Sequence, residues 1–155
     1  MTTVLDIGVL SELRLPNPDP NVTAWFATQP AADLAIASFS VAEIEYGIAK
    51  IPQSGLLSTQ LTAWLNSIVA TQLVLPLDAD AARIFGRLLA VPALRNLIAS
   101  PPQARKPRFA GDLAIAATAV AHQAGVATHN LSDFRLIAQH CPGLAGIDPW
   151  TRQTF

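Results

Sequence analysis

The chain has almost no cysteine. Cys141 stands alone among 155 residues, which excludes an intrachain disulfide and a cysteine-based metal site and suits a reducing cytoplasm. Charge is scarce as well: Asp, Glu, Lys and Arg together make up 14% of the chain, and the formal net charge is -1. Without a basic excess, the chain as a whole is no general polyanion binder. No apolar run reaches the roughly 18 uninterrupted residues of a membrane helix. The opening residues, Met1 to Asp6, have neither the basic start nor the apolar stretch of a secretory signal. A cytoplasmic protein with no membrane partner is therefore expected. Internal repeats, low-complexity tracts and shifts in composition are also missing, so a single domain over residues 1–155 is expected.

Apolar side chains are abundant, at 51%. This is ample for a core and more than a free-standing monomer needs. The surplus predicts a covered surface, against a partner or a second copy of the chain. The basic residues are unevenly spread, with Arg95, Arg105, Lys106 and Arg108 in one short stretch. That stretch is either a solvated loop or a local phosphate-contacting patch.

Strand and helix signals alternate along the chain. Val4-Leu5, Leu34 to Ala37, Leu73 to Leu75, Val126 to Thr128 and Leu144 to Ile147 are short apolar runs that read as strands. Between them lie helical patterns: Val9, Leu10 and Leu13; Val22 to Thr28; a helix opened by Ser40; a stripe of Leu57, Leu61, Trp64, Leu65 and Ile68; Asp78 to Leu88; Asp112 to Ala124; and Ser132 to Gln139. Prolines at 16, 18, 20 and 52 punctuate the series. Such alternation predicts an α/β domain with a mainly parallel central sheet and helices on both faces.

Several acidic or amide residues fall where strands end or helices begin: Asp6, Glu43, Asp112, Asn130 and Asp133. Each has a plain structural reading. Asp6 and Asp112 suit helix N-caps, Ser40 to Glu43 has the form of a capping box, and Asp133 suits a helix N-terminus. Yet in a parallel sheet the strand carboxyl ends share one edge, and ligands bind there where the strand order reverses. Asp6, Glu43 and Asn130 or Asp133 can converge on that edge; for Asp112 the helix start would have to pack beside it. Clustered carboxylates repel one another, and Mg²⁺ or Mn²⁺ removes the conflict. A carboxylate-held ion is a common device for hydrolysing phosphodiesters.

Four segments carry a family resemblance. Val4-Leu5-Asp6-Ile7-Gly8-Val9-Leu10-Ser11-Glu12 is similar to the opening L-D-T-N-V-L-S-E of PIN-domain toxins of the VapC and FitB kind. Ser40 to Ile48, with Glu43, resembles their second motif. Asp112-Leu113-Ala114-Ile115-Ala116-Ala117-Thr118-Ala119 resembles the third, A-D-x-x-I-A-A-T-A. Ala127-Thr128-His129-Asn130-Leu131-Ser132-Asp133-Phe134 resembles the fourth, A-T-R-N-x-x-D-F. The four occur in order over nearly the whole chain. The resemblance implies a three-layer PIN-like fold and a metal-dependent endoribonuclease, the toxin of a toxin–antitoxin pair. Asp6, Glu43, Asp112 and Asp133 would be catalytic. With Asn130 they would hold Mg²⁺ or Mn²⁺. The implied partners are RNA as substrate, a VapB-type antitoxin that inhibits the site, a second copy of the chain, and operator DNA reached through the antitoxin in a higher assembly. His129, Arg105, Lys106 and Arg108 are candidates for contact with substrate phosphate.

Ile7, Gly8 and His129 stand where the pattern usually has Thr or Ser, Asn, and Arg. Support around first-sphere ligands bears on activity, so the alternative reading is a catalytically weak or inactive module that acts through its antitoxin in DNA-binding autoregulation. A receiver-like or phosphatase-like domain fits less well, because position 8 is glycine and no lysine follows Lys106.

Overall fold

The computed structural model describes residues 1–98 and 110–155. The strands are β1 (Thr3–Leu5), β2 (Leu34–Ala37), β3 (Leu73–Leu75), β4 (Gly125–Ala127) and β5 (Gly146–Ile147). They form one sheet in the order β3-β2-β1-β4-β5, and every neighbouring pair runs parallel. The expected parallel α/β architecture is present. The connections from β1 lead outward through β2 to β3, and the chain then returns to place β4 on the other side of β1. The strand order therefore reverses between β1 and β4, which opens a crevice at their carboxyl ends.

Alternation along each strand divides the core. Val4, Ala35, Ala37 and Val126 face one layer, with Leu88, Leu113, Phe134 and Ile137. Leu5, Leu34, Ile36 and Ala127 face the other, with Val9, Leu10, Trp25 and Ile68. The first layer is built by α5 (Ala79–Leu89), α7 (Gly111–Ala121) and α8 (Leu131–Ala138). The second is built by α1 (Ile7–Leu13), α2 (Pro20–Ala27) and α4 (Leu56–Thr71). The remaining helices are α3 (Ser38–Ala49) and the single turn α6 (Arg95–Ile98). Leu113 to Ala119 are all buried. Alanine makes this possible, since a thin helix that is a good helix former can press against both the sheet and α5. Thr118 is absorbed into packing, its hydroxyl donating to the Ala114 carbonyl at 2.8 Å.

Three local expectations change. Helix α3 begins at Ser38, with Ala37 as an N-cap that makes no side-chain bond. Ser40 to Glu43 is therefore no capping box; Ser40 is buried, and Glu43 is free to point elsewhere. Asp112 is not an N-cap either. Ala110 takes that place with left-handed dihedrals, φ 55° and ψ 30°. The stripe of α4 starts at Ser58 rather than Leu57, which is 52% exposed.

Candidate active site

Asp6 follows β1 directly. Its backbone N–H continues the ladder to β4 by donating to the Ala127 carbonyl at 3.0 Å. Its carboxylate caps α1, accepting from the Ile7 N–H at 2.7 Å. The second carboxylate oxygen accepts from the Thr128 hydroxyl at 2.7 Å. Asp6 is thus fixed by the strand ends on both sides of the topological switch. Burial pushes its carboxyl above the ordinary range, against the pull of Thr128 and the Ile7 N–H.

The segment after β4 gathers the other acids. The Asn130 N–H donates to the Thr128 hydroxyl oxygen at 3.0 Å. The Asn130 side-chain amide donates to Asp112 at 3.0 Å and to Asp133 at 2.8 Å. One amide therefore spans the first turn of α7 and the first turn of α8. Three residues of chain, Thr128 to Asn130, link Asp6 to Asp112 and Asp133. The convergence of Asp112 on the crevice, which sequence spacing leaves open, is achieved by packing α7 against the sheet.

Glu43 enters from α3. Burial pushes its carboxyl up to about 7, and the charges of Asp112 and Asp6 add to the effect in that order. It also lies against the start of α7: a β-carbon placed on Gly111 would overlap the Glu43 carboxylate. Glycine at 111 is what lets the two helices bring Glu43 beside Asp112. Phe39, Ala42, Glu43 and Tyr46 line an adjoining apolar pocket of about 200 Å³.

Among the described residues, no three His, Cys, Asp or Glu side chains already stand close enough together to hold a metal ion. The donor set nonetheless fits a hard divalent cation. It consists of carboxylate and amide oxygens, with no soft ligand. Glu43 is raised first by burial and then by the charges of Asp112 and Asp6, and a cation would relieve the repulsive part. Closing on an ion would take rotation of these side chains from their present hydrogen bonds.

Of the phosphate-contact candidates, Arg105, Lys106 and Arg108 lie outside the described residues. His129 lies within them, between Thr128 and Asn130. Sequence reading gave no role to Thr128, although it sits inside the fourth motif, and it passed over Asp148. Asp148 follows β5 as Asp6 follows β1, so the rule of acids at strand ends would have found it.

A curated relative, VapC ribonuclease Y4jK from Sinorhizobium fredii, is 36% identical over 150 residues, which cover 95% of this chain and 96% of the relative. The chain belongs to the VapC family of PIN-domain toxins. Toxin FitB from Neisseria gonorrhoeae is 27% identical over 150 residues, covering 95% of this chain and 97% of FitB. Among solved structures, FitAB bound to an IR36 DNA fragment contains a chain that superposes with a TM-score of 0.74 at 27% identity, over 98% of both chains. No family model matches the chain. Among the described residues, no helix is long and apolar enough to cross a membrane.

Proposed function

We propose that this VapC-family chain is a metal-dependent endoribonuclease, the toxin of a toxin–antitoxin pair, and that Asp6, Glu43, Asp112, Asn130 and Asp133 hold its Mg²⁺ or Mn²⁺. The observation that carries the reading is the run Thr128 to Asn130. It ties Asp6 to Asp112 and Asp133 at the sheet edge where strand order reverses. A relative of the same length that is named a ribonuclease supports it.

Bound there, the ion would supply Lewis-acid activation of water and charge compensation at the scissile RNA phosphodiester. The chain's own residues prepare the place. Thr128 and the Ile7 N–H hold Asp6 in one orientation. Asn130 keeps two carboxylates side by side that would otherwise turn apart. His129, with Arg105, Lys106 and Arg108, would contact the substrate phosphates.

The inactive reading is not favoured. The residue at position 7 serves Asp6 through its backbone N–H, a bond that isoleucine makes as well as threonine. The hydroxyl partner of Asp6 is Thr128.

For partners, the FitAB complex on DNA is the template. A VapB-type antitoxin would cover apolar surface and block the site, and the complex would bind operator DNA through the antitoxin. A groove of about 240 Å³, lined in part by Leu10, Leu13, Phe26, Trp64 and Ile68, suits an apolar segment of such a partner. Leu56, Leu57, Val69 and Leu73 are exposed by 44% to 72%, which suits a second copy of the chain.

The deciding experiment is RNA cleavage by antitoxin-free protein in Mg²⁺ and in Mn²⁺. Cleavage should require the metal and vanish in Asp6→Ala and Asp112→Ala, with circular dichroism unchanged. Full activity in either variant, or a folded parent that cleaves no RNA with either ion, overturns the proposal.

A further inference from the structure

Asp148 is a carboxylate with an unusual setting. It follows β5, is 1% exposed, and collects three kinds of donor. The Trp150 N–H donates at 2.9 Å, the Thr151 hydroxyl at 2.9 Å, and the His129 ring nitrogen Nδ1 lies 3.2 Å from both carboxylate oxygens. Burial alone would raise its pKa. The Trp150 N–H, the bonds from His129 and Thr151, and the charge of His129 outweigh burial and hold it below the ordinary carboxylate value. A buried charge so fully satisfied is a rigid anchor.

What it anchors is the His129 ring. One face of the imidazole rests on Trp150, with ring centroids 4.4 Å apart and planes at 39°. The side chain is nonetheless 60% exposed, so the ring stays accessible from solvent. An exposed surface side chain ordinarily keeps its rotamer freedom; this one is locked by a buried carboxylate and an indole. Its place is also specific. His129 is one peptide, about 3.8 Å between Cα atoms, from Thr128, which holds Asp6, and from Asn130, which holds Asp112 and Asp133.

Single-stranded RNA is recognised largely by unstacked bases laid on aromatic side chains, and histidine serves with Phe, Tyr and Trp. A locked ring contributes more than a mobile one, because its ordering cost is already met on folding. The chain has a formal net charge of -1, so phosphate attraction supplies little general affinity and stacking has more to contribute. We propose that the His129 ring, held by Asp148 and backed by Trp150, is a platform on which one nucleobase of the RNA substrate stacks beside the acidic crevice. The proposal rests on the ribonuclease reading for its substrate. Phosphate contact by the ring edge is compatible with it.

The test is binding of a short fluorescein-labelled single-stranded RNA, by anisotropy in Mg²⁺, to protein carrying Asp6→Asn so that no cleavage intervenes. Adding His129→Ala should weaken binding about 10-fold, and His129→Phe should restore it to within about 2-fold. An abasic site scanned along the RNA should, at one position, weaken the protein that retains His129 by the same factor and leave the His129→Ala protein unaffected. Equal affinity with and without the His129→Ala substitution, whether both proteins bind or neither does, overturns the platform. So do abasic losses that add to the His129→Ala loss at every position. Cleavage by the Asp6-containing chain separates the two ideas. Tight, His129-dependent binding without cleavage supports the platform and removes the ribonuclease. Cleavage with binding indifferent to His129 removes the platform alone.

Discussion

The Glu43 carboxylate lies so close to the backbone of Gly111 that a β-carbon at position 111 would occupy the same space. The contact joins α3 to the first residue of α7, one position before Asp112. It is a steric condition on the proposed metal site, not a bond, and only glycine meets it.

Gly111→Ala is therefore expected to displace Glu43 and leave the fold intact. The obstructed group is the far end of a flexible side chain, so relief is cheap. Alanine is also the better helix former, by about 1 kcal/mol in a helix interior and by less at this first helical position. Metal affinity and RNA cleavage should fall about 10- to 100-fold, in the range for disturbed ligand support, while the melting temperature holds or rises. Parent-like cleavage rates in a folded Gly111→Ala protein would show that the position of Glu43 does not matter.

The proton on Glu43 gives a second expectation. Its folded pKa, about 7, lies above the ordinary value of 4.5, so the folded metal-free chain binds this proton more tightly than the unfolded chain. The associated stability is present in full below pH 4.5 and is lost as pH rises towards 7. Asp6, also raised, adds in the same direction. Asp148, which is lowered, acts oppositely and only in more acidic solution. Thermal melts of metal-free protein should thus show a lower melting temperature at pH 8 than at pH 5. Mg²⁺ or Mn²⁺ should recover the loss at pH 8, and Glu43→Gln should flatten the profile. An unchanged profile in Glu43→Gln would assign the effect to other groups.

Much of this site was legible in the sequence because the sheet does simple work. Leu34 to Ala37 is apolar at every position because both faces are covered, and acids just beyond such runs fall on one edge. Two things were hidden. Where a helix begins depends on how the chain leaves the strand: α3 starts two residues before Ser40, which turned an apparent capping box into a buried serine and an inward-facing Glu43. The approach of Asp112 depends on how deeply α7 packs, which no local pattern encodes. Thr128 acts through a partner 122 residues away, and a separation of that kind leaves no periodic signal.

Thr128 provides a third expectation. Its hydroxyl donates to Asp6 and accepts from the Asn130 N–H. Thr128→Val keeps the shape and removes both bonds at a position that is 0% exposed. A lost bond to a charged group costs about 1.5–3 kcal/mol. Stability should fall by about that amount and metal affinity by about 10-fold, with Thr128→Ser restoring most of each. Equal metal affinity in Thr128→Val and parent, by calorimetry, would reduce Thr128 to a packing residue.

Asn130 separates holding the acids together from adding to their repulsion. Its amide donates to Asp112 and Asp133 at 3.0 and 2.8 Å, both charge-assisted bonds of the stronger kind. Asn130→Ala removes the two bonds without adding charge. Asn130→Asp removes them and sets a further carboxylate among the acids. Without metal, the melting temperature should therefore fall in the order parent, Asn130→Ala, Asn130→Asp, since like charges in a shared site destabilise one another. With Mg²⁺ or Mn²⁺ the order of gains should reverse. The aspartate variant has the most repulsion for a cation to relieve and one more charged oxygen to offer, so its metal-induced rise should be the largest of the three. A rise in Asn130→Asp no greater than in Asn130→Ala would place the cation away from Asn130, and the proposed ligand set would shrink to the carboxylates nearest Glu43.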